Sequence, residues 1–267
     1  MPQDETHLLI IDPQEDFCNP QTGALYVPGA DKDMERLALL IDKLGSTIKR
    51  IDVTLDSHHA IQIFHGAFWQ DPAGNPPAPF TTISAAQVED GVWRTRWPEH
   101  AATAARYTRA LEDTQKYRLT IWPTHCLIGS RGALVYAPLF QALQGWERST
   151  GRSVCYRLKG ENQFTEHYSA IHAEVPVTSD PCTLADREWI TSVTNCTRLL
   201  LAGEALSHCF LSTVTDLADL HPDAIRQFTI LTDACSSIPG FEQECALFLG
   251  TMQKHGARLA QCADLTA

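Results

Sequence analysis

The chain has 267 residues, of which 44% are hydrophobic and 20% charged, and these proportions exclude a disordered, collagenous or coiled-coil chain. The formal net charge is -11 and no basic run is longer than Lys49–Arg50, so the sequence does not predict binding to nucleic acid or to anionic membranes. No apolar run approaches the roughly 20 residues of a spanning helix, and the first residues lack a secretory pattern, so we expect a cytoplasmic protein.

Strands alternate with helices along the chain. Strands are predicted over residues 7–11, 51–55, 153–158, 198–202 and 228–232, with a short edge strand over 258–262. Helices are predicted over residues 31–48, 207–220 and 241–255. This alternation predicts an α/β domain of three layers, in which helices cover both faces of a mostly parallel sheet.

Residues 66–119 interrupt that alternation. The segment is rich in proline and contains Trp93 and Trp97, and it is too long for an unstructured connection. We interpret it as an insertion, partly helical between residues 100 and 116, within a single domain that spans residues 1–267. Because it follows the end of a strand, we expect it to lie over the active-site pocket or against a neighbouring subunit, and the alternative is a solvated segment far from the site.

Reactive side chains follow the first five predicted strands. They are Asp12, Asp56 with His58, Lys159, Cys209 and Asp233. Ligands bind at the carboxyl ends of the strands in such sheets, so these groups are expected to converge on one edge. The first strand is not followed by G-x-G-x-x-G, and no Walker A sequence is present, which argues against dinucleotide and nucleotide binding.

Cys209 is a candidate nucleophile. The nine cysteines show no C-x-x-C spacing, and the other eight are typical of small buried hydrophobic residues. It lies at the start of a predicted helix, where the helix dipole is expected to lower the thiol pKa, and the turn before it can present backbone N–H groups to an oxyanion. Asp12 and Lys159, each at the end of a strand expected to be central, are the candidate base and cation. A buried thiol, a loop carboxylate and a solvated lysine remain the alternatives.

Asp56, His58 and His125 form a candidate metal site. The Asp-x-His spacing places two ligands on a short loop, and zinc, manganese or iron accepts such ligands. Four further histidines are His59, His65, His167 and His172. The first two are additional candidate ligands, and the last two are more typical of polar contacts or solvated residues. Asp-x-His also occurs without a metal.

Six segments, taken in order, resemble the isochorismatase-like cysteine hydrolases, and within them the nicotinamidases. They are residues 10–18, 56–58, 122–133, 159–160, 203–209 and 231–236. The resemblance implies an isochorismatase-like, Rossmann-like topology with Asp12, Lys159 and Cys209 as catalytic triad. It implies oxyanion donors at the backbone N–H groups of Ala205 and Cys209, and a cis peptide bond before Ala205.

The same resemblance implies that Asp56, His58 and His125 bind a divalent metal, zinc first, with iron or manganese as alternatives. Phe17 and Trp122 would line the substrate pocket, and His65 could add a ligand. The implied reaction is hydrolysis of a small carboxamide, nicotinamide first, through a thioester, which places the enzyme in pyridine nucleotide metabolism.

Alternatives remain open for the substrate and the role of the chain. The same triad could act on another small amide, ureido or carbamoyl compound, or the chain could be a catalytically silent small-molecule-binding or assembly protein. A homo-oligomer is likewise left open by the sequence. The polar stretch 160–167 has no assignable part in nicotinamide recognition.

Overall fold

The computed structural model describes residues 5–266. The strands are β1 (Thr6–Ile11), β2 (Ile48–Asp56), β3 (Trp69–Gln70), β4 (Thr82–Ile83), β5 (Arg94–Thr95), β6 (Leu119–Thr120), β7 (Cys155–Lys159), β8 (Arg198–Gly203), β9 (Phe228–Leu231) and β10 (Arg258–Ala260). The helices are α1 (Glu15–Cys18), α2 (Ala30–Leu44), α3 (Ala85–Glu89), α4 (Ala101–Asp113), α5 (Ala137–Thr150), α6 (Arg187–Thr194), α7 (Leu211–Leu220) and α8 (Glu242–Lys254).

Six strands form one parallel sheet in the order β10-β9-β8-β1-β2-β7. β1 lies near the middle, and its residues are buried on both sides. Leu8 and Ile10 belong to the apolar cluster beneath α2 and α5, whereas Leu9 and Ile11 belong to the cluster on the opposite face. Successive side chains of a strand point to opposite faces, so one apolar run serves two core layers. The predicted three-layer parallel architecture is therefore confirmed.

The boundary between α2 and β2 differs from the sequence prediction. The apolar spacing continues to Ile48, but α2 ends at Leu44 because Gly45 adopts a φ of 51°. Ile48 begins β2 instead. The predicted helix over residues 31–48 is therefore one turn too long, and the predicted strand over 51–55 begins three residues too late.

Four helices within residues 5–266 were missing from the sequence prediction, and the two longest of them are α5 and α6. α5 has the signals of a helix, with Pro138 in its first turn, buried Leu139, Leu143 and Trp146 on one face, and Gly151 after its end at a φ of 68°. α6 begins after Asp186, whose carboxylate accepts two backbone N–H groups. The spacing of these residues was sufficient to predict both helices.

The insertion, residues 66–119, is built from two short antiparallel strand pairs, β3 with β5 and β4 with β6, together with α3 and α4. α4 lies within the residues predicted to be helical. Buried side chains of the insertion, such as Phe68, Tyr107 and Leu111, belong to the same apolar cluster as Leu9 of β1. The insertion thus packs into one core with the sheet. No helix within residues 5–266 is long and apolar enough to span a membrane.

Candidate active site

The carboxyl edge of the sheet brings the predicted residues together. Asp12 directly follows β1, Asp56 ends β2, Lys159 ends β7, and Cys209 lies beyond β8. Asp56 and Lys159 are register partners across β2 and β7. All four side chains are at most 8% exposed. The convergence expected from the strand ends is therefore present in the structure.

Lys159 is the centre of this group. Its Nζ lies 2.9 Å from Asp12 Oδ2 and 3.7 Å from Cys209 Sγ, donates to the His167 carbonyl at 2.8 Å, and forms a close ion pair with Asp56 Oδ1. Burial acts to lower the pKa of Lys159, but Asp12 and Asp56 raise it well above its ordinary value. Lys159 is thus a fixed cation between two carboxylates and the thiol.

β7 is the edge strand of the six-stranded sheet, so the prediction that Lys159 ends a central strand was wrong. The lysine is nevertheless 2% exposed, because the strand-end loop with Asp56 and the segment with His167 enclose it. Burial at a sheet edge depends on loops, which strand patterning cannot predict.

Asp12 is held by its neighbour on β2. Its backbone adopts a φ of 46°, its N–H donates to the Thr54 carbonyl at 3.1 Å, and Thr54 Oγ1 donates to Asp12 Oδ1 at 2.6 Å. Burial raises the pKa of Asp12 to about 6, against the opposing effect of Lys159. A carboxylate with this pKa is ionised near neutral pH and can still accept a proton.

Cys209 lies in a π-helical turn, Leu206–Phe210, that leads into α7. Gly203 precedes this turn at a φ of 118°, and the peptide bond between Glu204 and Ala205 is cis. The Ala205 N–H has no acceptor among residues 5–266, and Ala205 and Cys209 both line one cavity. The turn therefore leaves a backbone donor beside the sulfur, as an oxyanion site requires.

The thiol pKa differs from the sequence prediction. Burial raises the pKa of Cys209 well above its ordinary value, and the opposing effect of Lys159 does not compensate. The prediction of a lowered pKa was wrong because it considered the helix dipole and not desolvation. Cys182 is the exposed cysteine, so an alkylating reagent should reach it before Cys209.

Asp56, His58 and His125 form the second half of the site. Asp56 Oδ2 lies 3.5 Å from His58 Nε2 and 3.9 Å from His125 Nε2. His58 Nδ1 lies 3.1 Å from the Gly160 carbonyl, and His125 Nδ1 lies 2.8 Å from the Pro123 carbonyl. These carbonyls accept from the two Nδ1 atoms, so both Nε2 atoms face one carboxylate oxygen. Burial acts to lower the pKa of His58, but Asp56 raises it above its ordinary value.

This donor set fits a divalent transition metal. One ligand atom from each of the three residues lies within 4.8 Å of the others, and His58 Nε2 has no hydrogen-bond partner among residues 5–266. Burial would raise the pKa of Asp56, but Lys159 and His58 hold it well below its ordinary value. Burial lowers the pKa of His125 to about 4, so its imidazole is neutral. A buried carboxylate with two imidazoles matches a metal of intermediate softness.

His65 is a third histidine beside this group. Its ring centroid lies 5.9 Å from that of His58 and 5.6 Å from that of His125, and neither ring nitrogen has a partner among the described residues. Burial lowers the pKa of His65 to about 3. His65 is therefore a candidate additional ligand beside Asp56, His58 and His125, whose ligand atoms form the close group.

A narrow cavity opens onto both halves of the site. Asp56, His125 and Cys209 border it, and its walls are largely apolar and aromatic. The apolar and aromatic lining residues are Phe17, Leu25, Val27, Trp122, Tyr168, Ala205 and Ile238. Phe17 and Trp122 therefore stand where the resemblance places them. Trp122 Nε1 donates to Tyr168 Oη at 3.0 Å, which fixes the indole plane.

Sequence reasoning missed three residues of the site. The Gln14 side-chain amide makes two 2.7 Å hydrogen bonds with the backbone of Asp56, joining the ends of β1 and β2. Glu166 lines the cavity, and burial raises its pKa to about 7. His208 also lines it, and burial lowers its pKa to about 4. Gln14 was visible in the motif after the first strand, and Glu166 lies in the polar stretch that had no assignment.

The insertion contacts the site from the side. The Glu166 N–H donates to Tyr107 Oη of α4 at 3.0 Å, and the Phe80 ring packs edge-on against Trp122 with centroids 5.9 Å apart. Trp93 and Trp97 pack against the apolar core and are absent from the cavity lining. The insertion thus supports a wall of the pocket through Tyr107 and Phe80, and not through Trp93 and Trp97.

No protein-family model matches the sequence. The chain is 27% identical over 259 residues to the nicotinamidase of Escherichia coli (strain K12), covering 96% of this chain and 95% of that protein. Its fold is that of the yeast nicotinamidase bound to the inhibitor nicotinaldehyde (TM-score 0.67, 18% identity, 96% and 99% of the two chains). The pyrazinamidase of Pyrococcus horikoshii in complex with zinc is also similar (TM-score 0.57, 19% identity, 96% and 99%). The resemblance and fold inferred from the six segments are confirmed.

Proposed function

We propose that this protein is a metal-dependent cysteine amidase that hydrolyses nicotinamide to nicotinate and ammonia. The observation that carries the proposal is the contact of Lys159 with both Asp12 and Cys209, because Cys209 lines a largely aromatic cavity. The similarity to nicotinamidases along nearly the whole chain supports the choice of substrate.

In the first half-reaction, the Cys209 thiol gives its proton to Asp12 as sulfur attacks the amide carbon. Lys159 lies within 3.7 Å of both groups and lowers the energy of the thiolate that forms between them. The carbonyl oxygen becomes an oxyanion, and the N–H groups of Ala205 and Cys209 are the proposed donors. In other enzymes, loss of one such donor costs about 3 kcal/mol of transition-state stabilisation.

The tetrahedral intermediate then collapses. The carbon–nitrogen bond breaks, and Asp12 returns the proton to the leaving nitrogen, so that ammonia departs and a thioester remains on Cys209. In the second half-reaction, Asp12 takes a proton from water as the water oxygen attacks the thioester carbon. The carbon–sulfur bond breaks, Asp12 returns its proton to the sulfur, and the acid product leaves and ionises to nicotinate.

Asp56, His58 and His125 are the proposed metal ligands, with His65 as a further candidate. A bound divalent metal would supply Lewis acidity to a pyridine nitrogen or to a water beside the cavity. We propose zinc, because the ligand set suits it and the Pyrococcus horikoshii pyrazinamidase was crystallised with zinc. The buried apolar walls would pack against the pyridine ring, with Phe17 and Trp122 in contact with it.

The test is ammonia release from purified protein with nicotinamide, pyrazinamide, a ureido compound and a carbamoyl compound. We expect release from the first two, loss of release on chelation, and recovery with zinc, iron or manganese. His125→Ala should lower bound metal, measured by elemental analysis, together with activity. Release confined to ureido or carbamoyl substrates would retain the triad but reject nicotinamide. No release from any amide by metal-loaded protein would reject the amidase.

A further inference from the structure

Glu204 is a buried acid directly behind the oxyanion loop that the proposed mechanism does not use. Its side chain is 0% exposed, and it immediately precedes Ala205. Glu204 Oε2 accepts the Ser236 N–H at 3.0 Å, whereas Oε1 is buried and has no hydrogen-bond donor among residues 5–266. An ionised carboxylate with an unpaired oxygen in this position would be costly, because nothing replaces its lost hydration.

Asp33 of α2 is paired with Glu204 through Ser236, which donates its N–H to Glu204 Oε2 and its hydroxyl to Asp33 Oδ2. Its own oxygens are already acceptors: Oδ1 accepts from Arg36 Nη2 and Oδ2 accepts from Ser236 Oγ, each at 2.5 Å. Asp33 therefore has the bonding pattern of a carboxylate, and it presents negative charge to Glu204. Two adjacent buried carboxyl groups do not both ionise readily, so one of them retains a proton.

The other groups around Glu204 do not remove this constraint. Arg36 is the nearby cation, but its side chain is 42% exposed and already bonds Asp33 and the Asp233 carbonyl. Cys18 of α1 and Cys235 after β9 also face the acid pair, and burial together with Glu204 raises both thiol pKa values, which keeps them neutral. Burial and Asp33 likewise raise the pKa of Glu204 well above its ordinary value.

The acid pair is connected to the oxyanion loop through Ser236. The Ser236 N–H bonds Glu204, its hydroxyl bonds Asp33, and its carbonyl accepts the Leu206 N–H at 2.8 Å. The two residues that flank Ala205 are therefore both tied to Ser236, while the Ala205 N–H itself remains without an acceptor among the described residues. The direction of that N–H depends on these ties.

We propose that Glu204 is a positioning residue of the oxyanion site: it carries a proton on Oε1, donates it to Asp33, and through Ser236 holds the Ala205 N–H towards the cavity. The proposal rests on the proposed function for its effect on catalysis. The protonated side chain satisfies both oxygens, one as acceptor from Ser236 and one as donor to Asp33. Glutamine has the same length and the same arrangement of acceptor and donor, whereas aspartate is one methylene too short to reach both partners and alanine has no polar group.

The test compares Glu204→Gln, Glu204→Asp and Glu204→Ala for ammonia release at pH 7. We expect Glu204→Gln to keep kcat within about twofold of the wild type. Glu204→Asp and Glu204→Ala should lose about tenfold or more in kcat with little change in KM, because the loop acts on the oxyanion and not on ground-state binding. A Glu204→Gln variant as impaired as Glu204→Ala would overturn the proposal.

Thermal unfolding between pH 5 and pH 8 tests the proton without any activity. Unfolding lets Glu204 ionise near its ordinary pKa, so a protonated folded form loses stability as pH rises. The midpoint of Glu204→Gln minus that of the wild type should therefore increase with pH. A difference between the two midpoints that does not change with pH would mean that Glu204 is ionised in the folded protein, and it would reject the proposal. This measurement needs only the wild type and Glu204→Gln to fold. If the wild type releases no ammonia, the proposed function fails, and this measurement still decides the protonation.

Discussion

Cys209 is a buried thiol whose reactivity depends on its neighbours. The pKa of the thiol is raised by burial, so sulfur becomes nucleophilic as Asp12 accepts its proton. Lys159, in contact with both, is the cation that makes this transfer feasible. Cys209 is buried whereas Cys182 is exposed, so alkylating reagents should reach Cys182 first. Reactivity towards substrate and reactivity towards alkylating reagents are therefore expected to differ along this chain.

Cys209→Ala should lower ammonia release by more than about 1,000-fold while leaving the thermal midpoint nearly unchanged, because it removes the sulfur and little packing volume. Cys209→Ser should be similarly inactive. The matched control is Cys182→Ala, which removes an exposed cysteine and should retain full activity. Substantial turnover by Cys209→Ala in a steady-state assay would exclude the nucleophile assignment.

Asp12 should set the acid limb of the pH profile. It must be ionised to accept the thiol proton, and its pKa is about 6, so kcat/KM should fall about tenfold per pH unit below that value. Thr54→Val removes the hydroxyl that donates to Asp12 Oδ1, which destabilises the ionised form and should move the limb to higher pH. Thr232→Val, which alters a hydroxyl bonded to Ala260, should leave the limb in place. An identical limb in the wild type and Thr54→Val would contradict this role.

At the scale of elements, the site depends on where each strand ends. β2 and β7 stop in register, so Asp56 and Lys159 meet as neighbours, and the chain then turns sharply at Gly160. Gly160 has a φ of 84°, and a Cβ there would lie 2.5 Å from His58 Cε1. The close approach lets the Gly160 carbonyl fix the His58 imidazole. This glycine therefore serves the candidate metal site as well as the turn.

Gly160→Ala should displace His58, and we expect bound metal, measured by elemental analysis, and amidase activity each to fall by about tenfold or more. Gly151→Ala is the matched control, because Gly151 also has a positive φ, of 68°, but a Cβ there meets nothing within 4 Å. The control should lose roughly 1–2 kcal/mol of stability and keep its metal. Equal metal content in the two variants would argue against the steric account.

Strand patterning was sufficient to predict the sheet and the residues at its carboxyl edge. The apolar run from Leu8 to Ile11 is continuous because both of its faces are buried, and Asp12 follows it directly. The same patterning missed the end of α2, since the apolar period carries on into β2 through Ile48. It could not predict that Lys159 lies on the edge strand or that the Cys209 pKa is raised, because both depend on loops that fold over the site.

At the scale of the whole molecule, the insertion shares its core with the sheet and supports the pocket from one side. Phe80 is 58% exposed and contacts Trp122, whereas Trp97 is half-buried and packs against Phe68, with ring centroids 6.1 Å apart. The first contact reaches the cavity wall, and the second is internal to the core. These two aromatic residues should therefore report on different properties of the same segment.

Phe80→Ala should raise KM for nicotinamide severalfold with little change in the thermal midpoint, because it removes support from Trp122 while the Phe80 ring itself is mostly exposed. Trp97→Ala should lower the free energy of unfolding, by up to about 3 kcal/mol, with KM unchanged. We also propose that residues 1–267 unfold as one domain, so Trp97→Ala should shift a single calorimetric transition without splitting it. Two separate transitions would show that the insertion is an independent unit.

Asp56 faces both halves of the site, with Oδ1 against Lys159 and Oδ2 towards the two histidines. A single carboxylate charge is therefore divided between the lysine that serves the thiol and the imidazoles beside the cavity. Positive charge at the histidines weakens the electrostatic attraction between Asp56 and Lys159. The charge of Lys159 then acts more strongly on Asp12 and on the Cys209 sulfur. By thermodynamic linkage, the proton on Cys209 must influence occupancy of the histidine side to the same extent. The nucleophile and the ligand cluster are thus one coupled electrostatic unit, and neither titrates independently of the other.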